Sequence, residues 1–185
     1  MRKKIFIVLI VAFSILKTNA QESRFVVTAG YLSTTIKASA LGSTNSESAS
    51  GYYIGFHADY SIKNNLKISP EIGFMQAIKN GETSNTLILP VMLKYYPSEN
   101  FFIQAGPTFD YILDDQEFLK KLGIGLGFGL GLDINHKFFL STKYSLGLSN
   151  RIDGLVFQDT NGLPLNISDI KMKINYLHIG VGYRF

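Results

Sequence analysis

His57, Asp59 and His178 are the residues of this sequence whose types and spacing first suggest chemistry. Two imidazoles and a carboxylate can exchange protons near neutral pH, which is the equipment of general acid–base catalysis. Seven further charged residues share their pattern position: Lys67, Glu71, Lys94, Asp110, Asp133, Lys143 and Arg184. That company favours a second reading, a buried structural network in which carboxylates and cations neutralise one another. Catalysis also needs a substrate that can arrive, which a closed interior network does not admit. The network reading prevails, and with it the expectation of a non-enzyme. Which acid meets which base is left open.

Other chemistry-bearing patterns fare less well. Gly123, Gly125, Gly127, Gly129 and Gly131 alternate with Leu, Ile and Phe. Phosphate-cradling loops need glycines in a turn that opens a helix, whereas these form one face of a strand. Such a strand offers no inward side chains and leaves the interior to Phe102, Gln104, Phe139 and Lys143. Asp114, Asp115 and Glu117 could hold a divalent cation, but an acidic loop tip is more often solvated. Asp159, Asn161 and Asp169 lack the spacing of a calcium loop. No cofactor and no metal is expected. His136 falls in a tight turn, and Asn166-Ile-Ser168 is an unremarkable sequon.

The elements that position these residues are strands. Eight segments alternate with period two, over residues 24–34, 52–62, 66–78, 86–96, 101–113, 122–135, 138–149 and 173–185. Most run ten residues or more, longer than the ordinary soluble strand and suited to a tilted membrane strand of about 9–11 residues. In the last, Leu177, Ile179, Val181, Tyr183 and Phe185 share one face; Tyr176, His178, Gly180, Gly182 and Arg184 share the other. An edge strand this apolar invites aggregation unless it pairs, so it is expected to close onto the first strand. Pro70 and Pro107 remove ladder donors, and a bulge is expected near each.

Sorting every strand by parity decides the solvent. One face carries Phe25, Val27, Tyr31, Ile54, Phe56, Leu89, Leu93, Ile103, Phe109, Phe128, Leu140 and their like, without a charge from Phe25 to Ser149. The other carries the ten titratable residues named above. A cation facing mid-bilayer lipid costs about 2–4 kcal/mol, so lipid clears charge from an outer face. A soluble lipocalin-like barrel predicts the reverse, and so many charges cannot line a dry pocket. Aromatic side chains near the strand ends read as interfacial girdles: Phe25, Tyr60, Tyr95, Phe101, Phe138, Tyr183 and Phe185 at one level, Tyr31, Tyr52, Phe74, Phe109 and Tyr111 at the other. The fold class is therefore all-β: an eight-stranded antiparallel up-and-down transmembrane β-barrel.

The connections agree. Short ones, at 63–65, 97–100 and 135–137, fall at one end with both termini. Long ones, at 35–51, 79–85, 114–121 and 150–172, gather at the other. Outer-membrane barrels have short periplasmic turns and longer extracellular loops.

The amino terminus supplies the address. Arg2, Lys3 and Lys4 precede an apolar run from Ile5 to Leu16, then Thr18-Asn19-Ala20. Those are the three parts of a cleaved signal peptide over residues 1–20, which leaves 21–185 as one barrel domain. The run is too short to span a membrane as a helix. Arg2, Lys3, Lys4 and Lys17 account for the whole formal charge of +4. The remainder is neutral, which excludes a basic nucleic-acid surface. With no cysteine, disulfide scaffolds and thiolate metal sites are excluded too.

The signal peptide, the eight strands and the ending Gly180-Val-Gly-Tyr-Arg-Phe185 resemble small outer-membrane barrels of the OmpA/OmpX type. Leu89-Pro-Val-Met-Leu-Lys-Tyr-Tyr96 resembles a strand of porin-family barrel domains. The resemblance implies that Tyr183 and Phe185 form the signal read by the outer-membrane insertion machinery. It also implies Gram-negative outer-membrane lipid and lipopolysaccharide as surroundings, and a monomer. Family enzymes that modify lipids use a His and a Ser near the outer rim, where this chain has no His. The expected function is membrane anchoring and surface interaction around a plugged lumen. A narrow pore for ions or small solutes is the alternative, and an outer-membrane lipid-modifying enzyme the second alternative. A wide diffusion porin is excluded, because it needs about 16–18 strands.

Overall fold

The computed structural model describes residues 24–40, 43–114, 119–152 and 171–185. The proposed leader (1–20), Asp115, Glu117, Asp159, Asn161, Asp169 and the Asn166–Ser168 sequon lie outside the described residues. The strands are β1 (Arg24–Ala40), β2 (Ser43–Lys63), β3 (Leu66–Lys79), β4 (Glu82–Tyr95), β5 (Phe101–Ile112), β6 (Leu122–Asp133), β7 (Phe138–Gly147) and β8 (Lys171–Arg184). Each pairs antiparallel with the next, and β8 returns to β1 along Val26↔Arg184 to Ser39↔Lys171. The sheet has become a closed ring, which satisfies the backbone of every strand inside a bilayer.

Parity translates directly into burial. Along β6 the even residues Leu122 to Leu132 are each about half exposed, while the glycines face inward. Along β3, Ser69, Glu71, Met75 and Ala77 are buried and Ile72 is exposed. Aromatic rings mark both levels of the apolar band. Phe138 and Tyr183 pack at 5.1 Å and Tyr183 and Phe185 at 5.0 Å at the turn end, while Tyr31, Tyr52, Phe109 and Tyr111 stand exposed toward the loop end.

Two expectations about connections need correction. Residues 35–51 are not a loop: β1 and β2 stay paired from Thr35↔Ser48 to Ala40↔Ser43. Ser and Thr can pair across strands, and Thr35–Ser48 and Ser39–Thr44 hydroxyls do so at 3.3 and 3.0 Å. Residues 79–85 shrink likewise to the two-residue turn Asn80-Gly81, with φ of 52° and 86°, since Lys79 pairs with Glu82. Asn-Gly is the preferred pair where both turn residues need positive φ. The loop end is thus built in part from strands that continue past the apolar band.

The prolines also behave differently from expectation. Pairing of β2 with β3 skips the positions opposite Pro70, then resumes in the same register. The β5–β6 register runs through Pro107 unbroken. A lost N–H removes one ladder bond, but register in a closed barrel is held by neighbours on both sides, so no bulge forms. The shift that does occur lies between Ser61 and Lys63, beside the β2–β3 turn.

Candidate functional site in the lumen

Side chains fill the lumen in layers, and β6 makes room for them. A Cβ on Gly131 would lie 2.1 Å from Phe102 Cζ, and one on Gly182 2.0 Å from Phe139 Cζ. With Val26, these two rings form an apolar layer near the turn end. Phe102 and Phe139 meet edge-on at 5.8 Å, a favourable aromatic geometry.

The charged layer lies above it. Lys94 Nζ donates to Asp59 Oδ1 at 2.8 Å and to His57 Nε2 at 2.9 Å. Ser69 Oγ donates to the same carboxylate. Lys143 Nζ bonds both Glu71 oxygens, at 2.7 and 2.6 Å. Because His57 Nε2 accepts, its proton belongs on Nδ1, which faces Glu71 Oε2 at 3.7 Å. Two carboxylates and two ammonium groups cancel, which is what makes such burial tolerable. A gap of about 10 Å³ lies in this layer, close to the volume needed by one water molecule.

His178 does not join His57. Its ring lies 4.7 Å from Tyr53 and 6.4 Å from Tyr176, with Nε2 3.0 Å from Met75 Sδ. Of the acid–base constellation considered from sequence, His57 and Asp59 come together, with Nε2 3.6 Å from Oδ1, while His178 packs against Tyr53 and Met75. His136 is exposed in its turn, and Asp114 is engaged by Asn85, whose backbone N–H donates to Oδ2 at 2.6 Å.

The remaining charges sit at the two ends. Arg184 Nη2 donates to Asp133 Oδ1 at 2.6 Å, and Lys67 lies 4.7 Å above the Tyr96 ring. Toward the loop end, Asp110 pairs with Arg151 and accepts from Tyr176 Oη at 3.0 Å. Arg151 also donates to Lys120 O and Lys121 O, each at 3.1 Å. Sequence reading missed Arg151, because it follows β7 inside a segment without periodicity. One signal pointed to it: Asp110 needed a cation. The structure adds a second mark of its place, since a Cβ on Gly123 would lie 2.0 Å from Arg151 Nη2.

Above Asp110 the interior turns apolar, with Leu32, Tyr53, Met75, Ala77, Ile88, Ile112, Ile174 and Tyr176 in one cluster. Beyond the apolar band, β2 projects with one edge uncovered. Its pairing with β3 begins at Ser50, so Ser43–Ala49 is bonded on the β1 side alone among the described residues. One ion pair braces the start of this edge, Lys79 Nζ to Glu47 Oε2 at 2.5 Å.

Comparison with known proteins places the whole chain. The family model described as outer membrane protein beta-barrel domain matches residues 5–185. Ail of Yersinia pestis, the attachment invasion locus protein, superposes with a TM-score of 0.53 at 13% identity, over 89% of this chain and 100% of Ail. OprG of Pseudomonas aeruginosa gives 0.51 at 14%, over 90% and 98%. The outer membrane protein AlkL gives 0.51 at 13%, over 91% and 93%. At such identities the likeness is one of fold. No curated protein matches the sequence.

Proposed function

The chain belongs to the outer membrane protein β-barrel domain family, and from that premise we propose that it is a non-enzymatic surface protein: a plugged barrel anchoring a projecting sheet. The observation that carries this reading is the edge Ser43–Ala49, unpaired on its far side among the described residues, on strands that outrun the apolar band. Unpaired backbone N–H and C=O groups on such an edge can pair with an extended segment of a partner. The turn end with both termini faces the periplasm, and the loop end faces outward. Tyr183 and Phe185 serve as the insertion signal, and the leader 1–20 is cleaved. Outer-membrane lipid and lipopolysaccharide meet the apolar band of a monomer.

The plug is supported by the neutral lattice of Asp59, Glu71, Lys94 and Lys143 over the Phe102–Phe139 pair. An ion crossing it must break hydrogen-bonded pairs without wide water to replace them. Single-channel recording of the refolded protein in a planar bilayer tests this. A gel shift between boiled and unboiled samples certifies that the barrel has formed. Silence is expected. Steady conductance would replace the plugged anchor with a narrow pore.

A further inference from the structure

The loop end of the interior holds a cup of about 200 Å³. Its wall includes Leu32, Met75, Ala77, Ile112 and Ile174. The Tyr176 hydroxyl is spent on Asp110, so that residue offers the cup a ring. The inner end is shut by Met75 against His178 and, deeper, by the charged layer. The cup therefore leads nowhere. One polar atom in its wall is unemployed: Thr34 Oγ1 is buried without a hydrogen-bond partner among the described residues, and Thr34 is 8% exposed.

We infer that this cup is a binding site for a small uncharged molecule, apolar in its body and carrying one hydroxyl or carbonyl for Thr34. Size sets the first bound. An engineered cavity of about 150 Å³ lined by apolar side chains binds benzene, so this one takes a single ring or a chain of similar bulk. Polarity sets the second. A buried hydroxyl with no partner is disfavoured, and a ligand that supplies one gains more than the apolar contact alone. Charge sets the third. Among the described residues the wall offers no ionic partner at depth, and an ion would lose its hydration for nothing. Lys79 and Glu82 stand only at the mouth, where they meet water.

Protein-observed NMR of the full refolded chain tests this with phenol, benzene and benzoate as probes. Methyl signals of Met75, Ile112 and Ile174 report the cup, while Ile103 and Ile179, which face outward, report partition into the surrounding amphiphile. Phenol is expected to shift the cup methyls saturably, with an affinity about 2- to 10-fold above that of benzene, the range of one net hydrogen bond. Benzoate is expected to leave them unmoved. Thr34→Val should erase the preference for phenol while benzene still binds. Ala77→Leu, which narrows the cup, should weaken both. The inference is overturned if the cup methyls of a folded barrel do not respond. It is overturned equally if cup and outer methyls respond alike, or if Thr34→Val keeps the phenol preference.

Discussion

Gly131 and Phe102 share one volume: a Cβ on Gly131 would lie 2.1 Å from Cζ of the Phe102 ring. The ring cannot retreat, because Phe139 stands against it at 5.8 Å and Tyr96 at 5.3 Å. Gly131→Val is expected to destabilise the barrel by about 1–3 kcal/mol through overpacking. Phe102→Ala alone is expected to cost about 3–5 kcal/mol through the cavity it opens. Joined, the two should cost clearly less than their sum, since each relieves the other. Urea unfolding in lipid vesicles reads all three, and strict additivity would contradict a shared volume.

The sequence made much of this legible because a strand has only two faces. Leu130 and Leu132 could point only one way, and the glycines between them only the other. Closure was legible too, since Val181 and Tyr183 needed a neighbour and found Ala29 and Val27. What stayed hidden depended on distance across the lumen. Whether Lys143 would meet Glu71 or Asp59 is decided by stagger between strands far apart in the chain, and no local pattern records stagger. His57 and His178 share a facing parity yet part company for the same reason. The 35–51 segment misled because its serines are poor strand formers alone, whereas here they extend a ladder already nucleated below. Asn80-Gly81 is a legible turn signal, set within a longer polar run that reads as a loop.

The apolar band predicts an intolerance that depends on face. Phe128 is 47% exposed on β6, packed at 5.4 Å against Tyr144. An arginine there would face mid-bilayer lipid, at a cost of about 2–4 kcal/mol. His136→Arg, in an exposed turn, should cost almost nothing. Unfolding midpoints of the two variants in the same vesicles should separate by that amount. Equal midpoints would mean that β6 does not meet lipid at Phe128.

Glu47 and Lys79 offer a pH readout outside the bilayer. The Lys79 ammonium, hydrogen-bonded to Glu47, holds that carboxyl below the usual carboxylate range. A depressed value means the pairing is fully present above the ordinary carboxylate range and is lost as pH falls through the folded value. NMR titration should place the Glu47 midpoint below that of an isolated glutamate. Lys79→Met should return it to the ordinary range. High salt should do part of the same, since exposed pairs are screened. An unshifted midpoint in the parent protein would remove the brace at the base of the projecting edge.

The carboxyl end separates folding from delivery. Phe185 is 74% exposed; its ring stands 5.0 Å from that of Tyr183, and its backbone N–H donates to Phe25 O at 3.0 Å, a bond that a side-chain change keeps, so Phe185→Ser should alter unfolding in vesicles only slightly. In cells, the same change should lower the heat-modifiable barrel recovered from the outer membrane several-fold, because the insertion machinery would meet a polar terminus. If both measurements move together, Phe185 acts through stability and the insertion role fails.

Glu71 and Lys143 decide what the charged layer is for. Their double hydrogen bond, at 2.7 and 2.6 Å, joins β3 to β7 across the lumen. Removing one partner leaves an uncompensated charge in a dry place, so Lys143→Met should cost about 3–5 kcal/mol, as should Glu71→Gln to a lesser degree. Replacing both with Met removes the charge and keeps the bulk, and such swaps are often neutral or stabilising. The double variant should therefore recover most of the loss in urea unfolding. Its conductance then separates two roles for the pair. If the layer acts as a plug by filling space, the doubly substituted barrel stays silent in a planar bilayer. If it acts by holding fixed charge against an otherwise continuous wet path, the barrel conducts. Stability restored with silence would assign the seal to packing, with Phe102 and Phe139 beneath as the remaining barrier.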